Sequence, residues 1–164
     1  MPSLRTHRIR AVTSSLVEGL AVGGLLAGRE APPWSRPRVL IATAAGALLV
    51  VDQLSVDLPR VLREARTLGT VAATPPEERR ALVEAGVRAV AGGLALQLLD
   101  RPVRGRLARR GIRHPHRWFG AAAGLTQVAV VAPVYWRLAA DRARREAELD
   151  AAIEAELQEI AAGH

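Results

Sequence analysis

The sequence contains no cysteine and no lysine. The first absence excludes disulfides, thiol catalysis and cysteine-based metal sites, although it does not fix the compartment. The second means that the pI near 11.4 rests wholly on arginine. With the bias to Ala, Gly, Val and Leu, this points to a GC-rich bacterial genome, a statement about codons and not about function. Aromatic residues make up only 3% of the chain, so any core is built from small aliphatic side chains. Catalytic signatures are also missing. There is no phosphate-cradling glycine loop with its lysine and no HExxH. His114 and His116 flank Pro115 without a third ligand nearby, so no metal and no cofactor is expected.

What the chain does have is segregated. Hydrophobic residues reach 49% while 24% are charged, in 164 residues, enough for one domain. Those fractions fit together if the charge lies between apolar runs. The clearest run, "WFGAAAGLTQVAVVAPVYW" (118–136), has no charge over nineteen residues. As a helix it rises about 27 Å, close to a bilayer's hydrocarbon thickness. Trp118 opens it, Tyr135 and Trp136 close it, and Arg117 and Arg137 stand just outside, an arrangement suited to headgroup level. A second run, 39–58, starts beyond Trp34 and Arg38, ends at Pro59-Arg60 and carries Asp52 and Asp57 near one end. Two further segments, 11–28 and 81–99, are long enough to span but contain Glu18, and Glu84 with Arg88. Glu84 and Arg88 are four apart and can pair on one helix face. "TPPE" (74–77) has capping-box spacing, which predicts a helix from Pro75 to about Asp100, ended by Arg101-Pro102. The basic front Arg5–Arg10 resembles a signal's start, yet Glu18 interrupts the apolar part and no small-x-small cleavage site follows.

The expected fold is therefore all-α: an integral membrane bundle with four spans, or two tandem hairpins, followed by a charged amphipathic helix over 141–164. In that tail Leu149, Ile153, Leu157 and Ile160 form an apolar stripe that could dock on the protein's own loops, a symmetry mate or a partner. "LPRVLREARTLGTV" (58–71) reads either as an amphipathic helix on a membrane surface or as a solvated connector. Gly19, Gly23, Gly24 and Gly28 in the first span, and Gly120 and Gly124 in the fourth, recur at four-residue spacing and offer smooth packing faces. "LVE", "GGL" and "AAG" recur in the same order in both halves, at unequal spacings. A duplication would make Glu18 and Glu84 equivalent.

Two sets of residues carry the functional expectations. Glu18, Asp52, Glu84 and Arg88 form a candidate intramembrane polar cluster, to be weighed against structural ion pairs or a shifted interface. "RPVRGRLARRGIRHPHRW" holds Arg101, Arg104, Arg106, Arg109, Arg110, Arg113 and Arg117. Read alone it suggests nucleic acid. Beside the aromatic bracket it is expected to contact anionic lipid, with nucleic acid the weaker alternative. With four spans the two sides collect twelve and ten arginines, too even to orient the chain. A re-entrant or surface-lying third helix would make it fifteen against seven. The acidic tail, with no obvious role across the membrane, favours both termini inside.

The function expected is that of a multi-pass bacterial inner-membrane protein, non-enzymatic, acting as an accessory, scaffold or self-associating subunit. A small transporter or holin-like pore using the polar cluster is the alternative. A soluble basic protein binding nucleic acid through 101–117 is the third.

Overall fold

A computed structural model describes residues 4–68 and 74–162, and no strand occurs among them. Four helices follow in order: α1 (Leu4–Ala27), α2 (Arg36–Leu68), α3 (Pro76–Arg109) and α4 (Pro115–Ala162), with a 3₁₀ turn at Gly28–Glu30. Each is long and apolar enough to cross a membrane. Cross-helix contacts fix an antiparallel arrangement. Arg10 of α1 meets Asp52 of α2, Glu78 of α3 meets Arg142 of α4, and Asp100 of α3 meets His116 of α4. The bundle thus has a loop end, with the 28–35 and 110–114 turns, and a terminal end.

Three helix boundaries differ from the sequence reading. Helix α3 does not stop at Asp100 but runs through Pro102 to Arg109. Proline forfeits one backbone bond there. Beyond it, Val103 and Leu107 pack against Leu26, Leu96, Phe119 and Ala123, which holds the extra turns in place. The stop comes at "RRG". Gly111 has φ +74, its N–H bonds the carbonyl of Ala108, and the N–H of Ile112 bonds that of Leu107. That is a Schellman ending, which needs the left-handed residue glycine supplies cheaply. Helix α2 likewise continues past residues 59–60 to Leu68, so the expected surface helix over 58–71 is largely its last turns, with 69–71 outside the described residues. At the start of α3, Pro75 is the N-cap and no side chain caps the helix. Thr74 stands one position too early for the capping box, and prolines at the entry take its place.

Packing is unequal. Helix α4 is the spine, lying along α1 on one side and α3 on the other, while α2 rests mainly on α1. Helices α2 and α4 thus have unequal surroundings. The α1–α4 seam is held by glycine. A Cβ on Gly19 would stand 2.7 Å from the Gly124 carbonyl oxygen, and one on Gly23 2.7 Å from that of Gly120. The two pairs meet in antiparallel register, backbone on backbone, where no side chain fits. Gly24 and Gly28 face Ile41 of α2 instead.

Outside that seam the surface is apolar. Only 6% of the most apolar stretch of α2 and 11% of that of α3 is buried. Leu20, Val90 and Leu125 lie exposed at mid-height on three different helices. The interior, by contrast, holds Ser14, Ser15, Glu78, Asp100, His116 and Gln127. Twelve apolar residues are buried with them among the described residues, so what departs from a water-soluble bundle is the exposed Leu and Val of the exterior.

Candidate functional site

The polar groups stack into levels along the helix axes. At the terminal end, His7 of α1 meets Glu146 of α4 at 2.9 Å. Arg10 donates to the Asp52 carbonyl at 2.9 Å and to Ser55 Oγ at 2.6 Å, with the Asp52 carboxylate 3.8 Å away. Glu78, only 5% exposed, accepts from Arg142 through Nε at 2.8 Å and through Nη2, and from Arg145 at 3.1 Å. Glu84 accepts from Arg88 at 2.7 Å and from Arg137 at 2.9 Å. Contact with Arg137 puts Glu84 level with the end of the uncharged run in α4, not at its middle.

One turn or more deeper lies Glu18. Its carboxylate accepts from the Tyr135 hydroxyl in a short contact and from Gln127 Nε2 at 3.4 Å. Gln127 is 1% exposed and its Oε1 has no partner. It faces Gly92 of α3, where a Cβ would come within 3.0 Å of that oxygen. A small cavity of about 40 Å³, lined by His7, Arg10, Ser14, Asp52, Tyr135 and Arg142 among others, lies between this pair and the terminal end. That is room for about one water among polar partners. The polar seam then stops at the apolar cluster of Leu26, Leu96, Phe119 and Ala123.

At the loop end a second network closes the bundle. Asp100 accepts from Arg29 at 2.7 Å, and its other oxygen stands 3.6 Å from His116 Nδ1. The backbone N–H of His116 donates to Glu30 at 3.2 Å, His114 lies 3.6 Å from Glu30, and Arg104 contacts His116 Nε2 at 3.4 Å. Both histidine rings thus stand near carboxylates, just beyond hydrogen-bond distance. Among the described residues no three His, Asp or Glu side chains converge as a metal site.

The four residues expected to form one polar cluster are thus not together. Glu18 belongs to a Tyr135/Gln127 pairing, Asp52 to Arg10, and Glu84 with Arg88 to Arg137; no carboxylates from three helices gather on Arg88. The sequence pattern placed all four charges inside the spans because it had no common height for the helices. The ion pairs supply that height: Asp52 and Glu84 stand at the Arg10/Arg137 level, Arg88 is rooted one turn inside it and reaches back to Glu84, and Glu18 lies within the apolar layer. From Glu84 to Asp100 the rise is about 24 Å, and from His116 to Arg137 about 32 Å. These distances bound an apolar slab.

The aromatic bracket divides in the same way. Trp34 and Trp118 project outward at the loop end and Trp136 at the terminal end, with Arg8 over its ring at 5.0 Å. Tyr135 is turned inward onto Glu18 and is not an outer anchor. Trp34, 92% exposed, sits at φ +62, a left-handed conformation that tryptophan rarely adopts.

The basic stretch is also divided. Arg101, Arg104, Arg106 and Arg109 ride on the last turns of α3, and only 110–114 forms the turn. None of the seven arginines meets a carboxylate among the described residues. With Arg29, Arg36 and Arg38 the loop end carries ten arginines against two acidic residues, Glu30 and Asp100. The acidic tail lies at the opposite end, so it cannot dock on this stretch of its own chain. Helix α3 is a continuous antiparallel member of the bundle, and the two ends of the bundle carry twelve and ten arginines.

Sequence reasoning passed over Arg29, Glu78, Asp100, Gln127, Arg142 and Arg145. Gln127 alone had a usable signal, as the one amide in the uncharged run. No protein-family model, curated protein or solved structure matches this chain.

Proposed function

We propose that the chain is a four-span protein of a bacterial inner membrane, acting without catalysis as an accessory, scaffold or self-associating subunit. The exposed apolar exterior carries this reading. An exterior of exposed Leu and Val over an apolar slab, with paired charges inside and at both rims, is stable in lipid and costly in water. The paired state of the carboxylates supports a structural role. Among the described residues Glu18, Asp52, Glu78, Glu84 and Asp100 each meet a cation or a hydrogen-bond donor. Association is supported by Gly46 of α2 and Gly86 of α3, which have open space beside them on exposed faces. The loop-end arginines lie where anionic headgroups would be, and the orientation that keeps the acidic tail in the cytoplasm is preferred.

Fractionation tests this directly. The expressed protein should sediment with membranes, resist a high-salt wash and dissolve only with detergent. Recovery in the soluble fraction without detergent would overturn the reading and revive nucleic-acid binding. Reporter fusions after residues 30, 110 and 155 should place the first two on one side and the third on the other.

One observation favours a second reading, that of a small transporter or pore. The polar seam from His7 to Glu18 reaches into the slab from the terminal end. Glu18, rather than Glu84, is then the residue to change. A pH-dependent flux in liposomes abolished by Glu18→Gln would support transport, and no flux at any pH would remove it.

A further inference from the structure

The bundle is not sealed on all sides. Near the loop end, α1, α2 and α3 leave a cleft of about 380 Å³ between them, within the range of ligand clefts. Val22, Leu25 and Ile41 line it, and Gly93 of α3 leaves part of the wall without a side chain. Nothing stands within 4 Å of a Cβ built on Gly93, so the space beside it is open.

Two cations line the same cleft, Arg29 and Arg38. Arg29 uses Nη1 on Asp100 and keeps its remaining N–H groups. Arg38 meets no carboxylate among the described residues. It lies in the first turn of α2, where free backbone N–H groups add positive potential. The ligand must therefore offer an anion at one end and hydrocarbon along the rest. A free phosphate would leave the aliphatic walls empty, and an uncharged lipid would leave Arg38 without a counter-charge.

The geometry points to a binding site for one anionic phospholipid, its phosphodiester at Arg38 and Arg29 and an acyl chain between α2 and α3. This rests on the membrane reading above. It also gives α2 a further support, since that helix otherwise leans on α1 and the 28–30 turn. Charged clefts between spans at one membrane face are a known setting for anionic headgroups.

The test is thermal unfolding of the detergent-solubilised protein with added phosphatidylglycerol, phosphatidylcholine or glycerol phosphate. Phosphatidylglycerol should raise the unfolding temperature and phosphatidylcholine should not. Arg38→Gln should weaken the effect about tenfold, as expected for one charge-assisted hydrogen bond. Gly93→Leu fills the cleft without meeting backbone, so it should keep the lipid-free unfolding temperature and lose the response. Arg144→Gln, at the opposite end of the bundle, should retain it. Equal stabilisation by both lipids, an undiminished response in Arg38→Gln, or the same shift with glycerol phosphate would overturn the site. A protein that needs detergent but shows no lipid preference refutes the site and leaves the membrane reading standing. A protein soluble without detergent refutes both.

Discussion

The α1–α4 seam and helix α2 draw on the same residues, Ala, Gly, Val and Leu, and end in opposite environments. In the seam, glycines are spaced so that two backbones touch, and the side chains of Glu18, Gln127 and Tyr135 beside them bond to one another within the protein. Along α2 the glycine at 46 faces nothing and the aliphatic side chains point outward. Composition does not separate the two regions; what separates them is the spacing of small residues and the presence of a polar partner across the gap. Close approach makes dispersion and Cα–H contacts the adhesive in one region. In the other, the surface is left for lipid or for a neighbouring protein.

That contrast can be broken most sharply at the glycines. Gly120→Leu would force a Cβ to within 2.8 Å of the Ala27 backbone nitrogen, where nothing can yield without separating α1 from α4. Loss of the folded species in detergent, followed by circular dichroism and gel filtration, is the expected outcome. Gly46→Leu adds the same atoms into open space and should leave unfolding unchanged or raise it slightly, since leucine is the better helix former.

The ion pairs extend the comparison to charge. Glu78→Ala strands Arg142 and Arg145 at a buried position and should cost about 3 kcal/mol in reversible unfolding. Glu84→Ala removes an acceptor whose partners are largely exposed, and screening should hold its cost to about 0.5 kcal/mol or less. Similar losses for the two would mean that the terminal-end pairs are not graded by burial. An effect of the opposite sign is expected at Trp34. Trp34→Gly relieves a left-handed residue and should stabilise the fold by up to about 1 kcal/mol, while weakening partition of the loop end into vesicles.

Much of the helical layout was legible because uncharged runs and their arginine brackets are contiguous in sequence. The glycine spacing in α1 and α4 showed which faces are smooth but not that Gly19 meets Gly124, a pairing set by the antiparallel register of helices a hundred residues apart. The partners of Glu18 were hidden for the same reason: Tyr135 reads as an outer anchor until α1 is laid beside α4. Proline was given too much weight as punctuation. At Pro102 the lost backbone bond is outweighed by the packing of Val103 and Leu107, so a segment expected to be loop is helix.

The absence of native cysteine makes the decisive measurement clean. Leu20, Val90, Leu125 and Leu149 are similarly exposed, at 67%, 64%, 73% and 63%. The first three lie within the apolar slab and the fourth on the acidic tail. Single cysteines at these positions, in membranes from expressing cells opened to give access to both faces, are challenged with a water-soluble maleimide. Labelling at residue 149 alone, with the other three protected, is the result expected of a bundle whose bare apolar faces lie in lipid. Comparable labelling at all four positions would contradict it.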